Sequence, residues 1–234
     1  DVPGIDDRLI VRSVELVLEQ FNADCGGVVR TTSQIPVARG LKSSSAAANA
    51  SVLATLDALG EHLDSLEATR IGVKAALEVG VTITGAFDDA AASMLGGVVV
   101  TDNRKMELLK REELVSDVLL LVPGEKIYSK DTDVRRSRLI APFADMVFDL
   151  AMKCDYKRAM TLNGIIYCSA LDLSSEPIFA ALNLGANGVS LSGTGPAYAA
   201  LVDEDEIDLV ESAWLDLGGS VIRTKVNNGG ASFG

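Results

Sequence analysis

Residues 36–49 combine residue types that bind anions, with a glycine, two cations and three consecutive serines before an alanine-rich stretch. Gly40 can adopt a positive φ and bring the backbone close to a ligand. Ser43, Ser44 and Ser45 would present hydroxyls and free backbone N–H groups at the start of a helix, where the dipole attracts negative charge. The pattern predicts a phosphate-binding loop, although a serine-capped helix would explain the same residues. Its order is not that of a Walker A loop.

Three carboxylates form a second candidate group. Glu78 ends a predicted helix, and Asp88 and Asp89 follow a connector that contains Gly80 and Gly85. Because glycines allow such a connector to fold back, the carboxylates could meet over one site. Near phosphates, such groups hold Mg²⁺ or accept a proton from an attacking hydroxyl. The alternative is structural, since aspartates are good N-cap and first-turn residues.

A glycine-rich turn and an arginine cluster complete the candidates. Residues 192–197, Ser-Gly-Thr-Gly-Pro-Ala, lie between two predicted strands, and their glycines could expose N–H groups to an anion. A plain turn is the simpler explanation of this segment alone. Arg135, Arg136 and Arg138 could clamp a carboxylate or a phosphate, or they could form the solvated start of a helix.

The composition narrows the classes of partner. The chain has 234 residues, 48% hydrophobic and 23% charged, and a formal net charge of −12. This negative field repels phosphate backbones, so general nucleic-acid binding is not expected. The longest uncharged apolar run, residues 118–123, is too short to span a bilayer, so no membrane partner is expected either. The three cysteines match no paired metal-ligand spacing, which favours the cytoplasm, and the remaining partner class is a small molecule.

Hydrophobic periodicity predicts an α+β fold in two layers, with domains over residues 1–114 and 115–234. The first predicted helix is capped by Asp6 or Asp7 and has apolar positions from Ile10 to Phe21, and a short alanine-rich helix follows Asp88 and Asp89 and ends at Gly96. The other predicted helices cover residues 44–59, 65–78, 138–153, 156–169, 177–184 and 204–217. The predicted strands cover residues 25–36, 98–101, 118–122, 188–191, 197–202 and 220–226.

Taken together, three segments resemble the motifs of the GHMP kinase superfamily. The segment Pro36-x-x-x-Gly-Leu-x-Ser-Ser, followed by alanines, is similar to its ATP phosphate-binding loop, and residues 192–197 are similar to its C-terminal glycine loop. The spacing of Glu78 and Asp89 is similar to that of the family's Mg²⁺-binding glutamate and catalytic aspartate. Because all three segments follow the family's order, the resemblance is far more specific than any one of them.

Within the superfamily, the sequence looks like the archaeal-type shikimate kinases. The likeness lies in residues 39–46, Arg-Gly-Leu-Lys-Ser-Ser-Ser-Ala, and residues 84–90, Thr-Gly-Ala-Phe-Asp-Asp-Ala. Most superfamily members carry glycine and alanine in place of Lys42 and Ser45, which favours this branch over homoserine or mevalonate kinases. The resemblance implies ATP- and Mg²⁺-dependent phosphorylation of the shikimate 3-hydroxyl, on the route to chorismate and aromatic amino acids.

The resemblance also implies a fold and a set of roles. The GHMP kinase fold has an N-terminal part like domain 2 of ribosomal protein S5 and a ferredoxin-like C-terminal part. Asp89, with Asp88 as the other candidate, would orient or deprotonate the acceptor hydroxyl, and Lys42 would reach a phosphate oxygen. Ser44, or Ser43, would hold Mg²⁺ with Glu78. The residues implied in ATP binding are Arg39, Gly40, Leu41, Lys42, Ser43, Ser44, Ser45, Ala46, Gly193, Thr194 and Gly195.

The acceptor side of the site is less defined. The candidates for binding shikimate are Asn49, Arg135, Arg136 and Arg138. The family's first motif and opening strands would precede Asp1, so the sequence is expected to lack that segment. A homo-oligomer is compatible with the sequence, which carries no information on the number of subunits.

Two other functions fit the same residues. One is another small-molecule GHMP kinase that acts on homoserine or mevalonate. The other is a catalytically silent relative, which would bind ATP without transferring phosphate. A purely structural interaction protein is disfavoured, because it would have no use for three ordered phosphate-site motifs.

Overall fold

The computed structural model describes residues 7–36, 39–82, 85–124 and 134–232, without the side chains of Val134, Arg135 and Ser137. The chain divides into two compact units. Unit 1 comprises the described residues within Asp1–Val37, Lys42–Leu114 and Asn227–Gly234, and unit 2 those within Ala38–Leu41 and Val115–Val226. The sequence predicted two continuous domains, whereas the described residues 39–41 belong to unit 2 and residues 227–232 belong to unit 1.

Unit 1 is mainly helical, with one small hairpin. Its elements are α1 (Asp7–Phe21), α2 (Ser43–Leu59), α3 (Ser65–Glu78), α4 (Phe87–Leu95), β1 (Val98–Asp102) and β2 (Glu107–Glu112). β1 and β2 pair antiparallel, with an irregularity in register between Val100 and Thr101. The C-terminal segment belongs to this unit because Gly97 N–H donates to the Asn227 carbonyl and the Arg111 guanidinium donates to the Asn228 carbonyl.

Local signals explain where the unit 1 helices begin and end. The Asp64 carboxylate accepts hydrogen bonds from the N–H groups of Leu66 and Glu67, and so caps the start of α3. Gly60 ends α2 in the left-handed conformation that glycine adopts without penalty. The core between the four helices is built from small and branched residues, among them Leu9, Val17, Ala48, Val52, Leu56, Val73, Ala75, Phe87 and Ala91.

Unit 2 packs helices on a four-stranded antiparallel sheet. Its elements are β3 (Asp117–Val122), α5 (Val134–Leu139), α6 (Ala141–Met152), α7 (Tyr156–Leu171), α8 (Glu176–Asn183), β4 (Gly188–Leu191), β5 (Tyr198–Val202), α9 (Ile207–Asp216) and β6 (Ser220–Lys225). The strand order is β4-β5-β3-β6. This order and the β3-α7-β4-β5-α9-β6 connectivity are ferredoxin-like, as the resemblance implied.

The register of this sheet aligns buried apolar side chains on the face that packs against the helices. Leu119 pairs with Ala200 and Leu121 with Tyr198, and all four are buried together. Because side chains alternate across a strand, this register buries one face of each strand against the helices. Trp214 of α9 is fully buried there, and its indole N–H donates to the Pro177 carbonyl.

Most predicted elements are present, but two predictions were wrong and one strand was missed. No strand forms over residues 25–36, which are irregular and largely exposed, because no strand of the described chain pairs with them. The helix expected over 138–153 is two helices, since Pro142 has no N–H group to continue a helix from α5 into α6. Strand β2 was missed because it is rich in charged residues. None of the described helices is long and apolar enough to cross a bilayer.

Candidate functional site

The first part of the predicted phosphate loop lies against the predicted glycine loop, inside unit 2. The Ala197 N–H donates to the Arg39 carbonyl at 3.2 Å, and the Ser192 hydroxyl donates to the Gly40 carbonyl at 2.7 Å. Two motifs that are about 150 positions apart in the sequence are therefore in direct contact.

Gly40 is required at this contact for two reasons. Its φ is +80°, which side-chain-bearing residues rarely adopt. A Cβ atom there would lie 2.6 Å from the Gly195 carbonyl oxygen and 2.8 Å from that of Ser192. Both obstacles are backbone atoms, so a larger residue could be accommodated only by moving the loop.

The glycine loop itself is a tight turn. Gly193 and Gly195 both have positive φ, and the Gly195 N–H donates to the Ser192 carbonyl at 3.1 Å. Gly193 is exposed and Thr194 half-buried, whereas Gly195 is buried. The Arg39 guanidinium donates to the Pro123 carbonyl at 2.6 Å, and so ties residues 39–41 to the end of β3.

The second part of the predicted phosphate loop opens α2, inside unit 1. Lys42 precedes the helix in the left-handed conformation, with φ 62° and ψ 32° and no side-chain cap on the first turn. Such a conformation costs a residue other than glycine about 1–3 kcal/mol and is concentrated at functional sites. Ser43 is buried and Ser44 is exposed. A first turn without a side-chain cap has the N–H groups that an anion requires.

The Lys42 ammonium forms an ion pair with the Asp89 carboxylate, with Nζ and Oδ2 2.9 Å apart. The Asp89 side chain is only 19% exposed, compared with 32% for Lys42. Burial raises the pKa of Asp89, Lys42 acts in the opposite direction, and the negative charge of Asp88 raises it further. Asp89 is thus a shielded carboxylate whose charged form depends on one lysine.

Asp88 has a different environment from its neighbour. Its Oδ1 accepts a hydrogen bond from the Asn103 side-chain amide at 2.7 Å, and its N–H donates to Asn103 Oδ1 at 3.0 Å. The Thr101 hydroxyl also donates to Asn103 Oδ1. This reciprocal bonding fastens the start of α4 to the β1–β2 turn, which is a structural role.

Asn49 lies inside unit 1 and is 1% exposed. Its Nδ2 donates to the Ala90 carbonyl at 2.9 Å, which links α2 to α4 one residue after Asp89. Among the described residues, no donor reaches its Oδ1. This burial argues against direct contact with a ligand and favours a role in positioning α4.

Glu78 was expected to hold a metal, and the structure places it in an ion-pair cluster. Its Oε2 is 2.6 Å from Arg12 Nε and its Oε1 is 3.8 Å from Lys74 Nζ, and Arg12 also pairs with Glu15 and Glu19 of α1. The Glu78 carboxylate thus contacts two cations here, and its role as a metal ligand stays a prediction. In the described part of the chain, no three His, Cys, Asp or Glu side chains are grouped as a metal would require.

Comparisons with known proteins show which family the chain belongs to. Residues 8–97 match the family described as GHMP kinases N terminal domain. The shikimate kinase of Methanothrix thermoacetophila is 64% identical over 234 residues, which are 100% of this chain and 81% of that protein. The chain belongs to the GHMP kinase family. The shikimate kinase of Methanosarcina mazei is 60% identical over 99% of this chain and 80% of that protein.

Solved structures share the fold of this GHMP kinase at low sequence identity. The Methanococcus jannaschii mevalonate kinase superposes with a TM-score of 0.70 at 17% identity, covering 95% of this chain and 76% of that one. The Cytophaga hutchinsonii homoserine kinase gives a TM-score of 0.69 at 17% identity, covering 97% and 77%. At such identities the likeness establishes the fold and does not distinguish among acceptor substrates.

The arginines predicted to bind the acceptor of this GHMP kinase have different environments. The Arg136 guanidinium donates to the Ser169 carbonyl at 3.0 Å, near the C-terminal end of α7. The Arg138 side chain is exposed. The side chain of Arg135 lies outside the described part of the chain, as do Val37 and Ala38 of the predicted phosphate loop and Thr84 of the second kinase segment.

Two residues that contact the predicted carboxylates of this GHMP kinase were not predicted from its sequence. Asn103 fixes Asp88, and Arg12 holds Glu78. Asn103 follows a strand and reads as an ordinary turn residue, and Arg12 reads as a charge on the exposed face of a helix. Neither position carries a local signal for a partner so distant in the sequence.

Proposed function

We propose that this GHMP kinase transfers the γ-phosphoryl group of ATP to the 3-hydroxyl of shikimate and yields shikimate 3-phosphate and ADP. The observation that carries the proposal is the 64% identity to a shikimate kinase over the whole chain. The reaction would serve the route to chorismate and aromatic amino acids. We place it in the cytoplasm, where the exposed thiols of Cys25 and Cys154 would stay reduced.

ATP phosphates would lie on the two loops that the sequence singled out. The first turn of α2 has no side-chain cap, and the N–H groups of Ser43, Ser44 and Ser45 would be offered to the phosphate oxygens, whereas the Ala46 N–H already donates to the Lys42 carbonyl. Residues 193–195 would approach the nucleotide through backbone with no side chain at Gly193 and Gly195. Residues 39–41 would be held against the second loop, since Ser192 and Ala197 donate hydrogen bonds to their carbonyl groups.

Asp89 is the residue that we assign to the acceptor hydroxyl. It would accept the hydroxyl proton as the acceptor oxygen bonds to the γ-phosphorus and the bond from that phosphorus to the ADP oxygen breaks. In a loose transition state, orientation of the hydroxyl contributes more than the strength of the base. Asp88 is the weaker candidate, because its carboxylate is already bonded to Asn103.

We propose Mg²⁺ as the partner of ATP, because magnesium in kinases is usually held by phosphates, water and one or two side chains. Bound in this way, it would neutralise phosphate charge. Ser44 remains a proposed ligand, since it is exposed in the first turn of α2. Glu78 would first have to leave Arg12, so no step of the mechanism is assigned to it.

The shikimate carboxylate calls for an arginine, because guanidinium and carboxylate groups match in geometry. Arg135, Arg136 and Arg138 stay the candidates. Arg138 is exposed, whereas Arg136 donates to a backbone carbonyl. Replacing each in turn by lysine and measuring KM for shikimate identifies the ligand by a selective rise in KM.

The identity of the product tests the proposal directly. The protein is incubated with ATP, Mg²⁺ and shikimate, and the product is examined by mass spectrometry and phosphorus–proton correlation. A single phosphate on the 3-oxygen supports the proposal. A phosphate at another oxygen, or no phosphorylated product while mevalonate or homoserine is phosphorylated, would refute it.

A further inference from the structure

The Lys42–Asp89 contact gives Lys42 a role that the phosphate-loop motif alone does not indicate. We infer that Lys42 is a positioning residue for Asp89, and that it holds the carboxylate in place through the ion pair instead of serving as a ligand of ATP. The role of Lys42 in the reaction rests on the proposed function, whereas the ion pair between Lys42 and Asp89 does not.

The geometry supports a pair that is specific to this helix junction. Lys42 Nζ and Asp89 Oδ2 are 2.9 Å apart, and both side chains are largely shielded from solvent. Lys42 and Ala86 precede α2 and α4, and both adopt the left-handed conformation. Two helices thus begin at non-glycine residues in an unfavourable conformation, and the pair joins them.

Lys42 and Asp89 have few alternative interaction partners. The nearby carboxylate of Asp88 is bonded to Asn103, so it is not the acceptor for Lys42. The negative charge of Asp89 lies in the first turn of α4, where the helix dipole also favours it. Removing the lysine would leave a shielded carboxylate with the dipole alone, free to rotate or to take up a proton before the acceptor binds.

The test separates a positioning role from phosphate binding. Lys42→Met removes the charge and keeps the length, Lys42→Arg keeps the charge, and Lys105→Met is the control at a lysine 67% exposed in the same unit. We expect Lys42→Met to lower kcat about 100-fold with the Kd for ATP changed less than about threefold. Lys42→Arg should keep kcat within about tenfold of the wild-type value. Lys105→Met should have the same kcat as the wild type.

A double-mutant cycle provides the second readout. The variant with Lys42→Met and Asp89→Asn should be no slower than Asp89→Asn alone, because both changes disable one unit. The same four proteins are compared by chemical unfolding, which requires no substrate and so reports the pair even if shikimate is not the acceptor. If the effects of the two substitutions on the free energy of unfolding are not additive, the inference is supported.

Three results would overturn it. A large loss of ATP affinity in Lys42→Met with kcat preserved would make Lys42 a phosphate ligand. Multiplicative losses of kcat in the double variant, or additive effects on unfolding, would show that the two residues act independently. Failure of the wild-type protein to phosphorylate shikimate would refute the proposed function, and the unfolding cycle would still decide the pair.

Discussion

At the scale of single residues, two adjacent aspartates have separate tasks because their side chains meet different partners. Asp89 is shielded and paired with Lys42, whereas Asp88 is bonded to Asn103 at 2.7 Å. We predict that Asp89→Asn lowers kcat by about 10²–10⁴-fold, the range for loss of a general base, with ATP affinity nearly unchanged. Steady-state kinetics and a nucleotide titration measure the two effects.

The matched control is Asp88→Asn, which keeps an oxygen to accept the bond from Asn103. We predict wild-type kcat within about threefold for this variant, because a neutral acceptor preserves the contact. If Asp88→Asn were the slow variant and Asp89→Asn the active one, the assignment of the two residues would be reversed.

The pH dependence of kcat follows from the same pair. Asp89 must be charged to accept a proton, and burial raises its pKa, so activity should fall on acidification at a higher pH than for an exposed aspartate. Removing the charge of Asp88 should shift this acid limb to lower pH. Removing the charge of Lys42 should shift it to higher pH. Profiles of kcat against pH for the wild type, Asp88→Asn and Lys42→Met test both directions. If both variants shifted the acid limb in the same direction, the account would be contradicted.

At the scale of elements, the site depends on backbone segments that approach too closely for a side chain. Gly40 and Gly60 both have positive φ. A Cβ atom at Gly40 would lie 2.6 Å from the Gly195 carbonyl oxygen, whereas a Cβ atom at Gly60 would extend into open space. We predict that Gly60→Ala destabilises the protein by about 1–2 kcal/mol through its conformation alone. Gly40→Ala should cost about 1–3 kcal/mol more.

Gly40→Ala should also weaken ATP binding, because the clash displaces residues 39–41 from the glycine loop, whereas Gly60→Ala should bind ATP normally. Chemical unfolding and ATP titration of the two variants measure these effects. Equal losses in both would mean that the close approach at Gly40 is not what the loop requires.

Helix α4 depends on a buried amide for its position. Asn49 donates to the Ala90 carbonyl across the α2–α4 contact, whereas the Ser51 hydroxyl bonds to the Ala47 carbonyl within its own helix. We predict that Asn49→Ala costs about 1–3 kcal/mol of stability and lowers kcat, because it leaves a buried carbonyl without its donor next to Asp89. Ser51→Ala should cost less than about 1 kcal/mol with normal kcat. A loss of shikimate binding alone, with kcat and stability intact, would instead favour Asn49 as a substrate ligand.

At the scale of the whole molecule, the sequence predicts what depends on local pattern. The apolar spacing of α1, the Asp64 cap of α3 and the continuous apolar run of β3 are local, and all three elements are present. The strand over residues 25–36 was predicted wrongly, because a strand requires a partner that periodicity does not reveal.

The candidate site is predictable in its residue types but not in its pairings. The glycines and serines of residues 36–45 and 192–197 signal phosphate chemistry from composition and order. The pairing of Lys42 with Asp89, and of Asn103 with Asp88, depends on how α2, α4 and the β1–β2 turn pack within unit 1. Such contacts between distant residues carry no local sequence signal.

The central claim is that the protein selects shikimate as its phosphoryl acceptor. The most direct measurement is ADP release in the presence of ATP and Mg²⁺, with shikimate, homoserine and mevalonate compared by kcat/KM. The account predicts turnover with shikimate and a kcat/KM at least about 10³-fold lower for the others, because a site built for a carboxylate and ring hydroxyls rejects acceptors that lack them. A preference for homoserine or mevalonate, or ATP binding without transfer to any of the three, would contradict it.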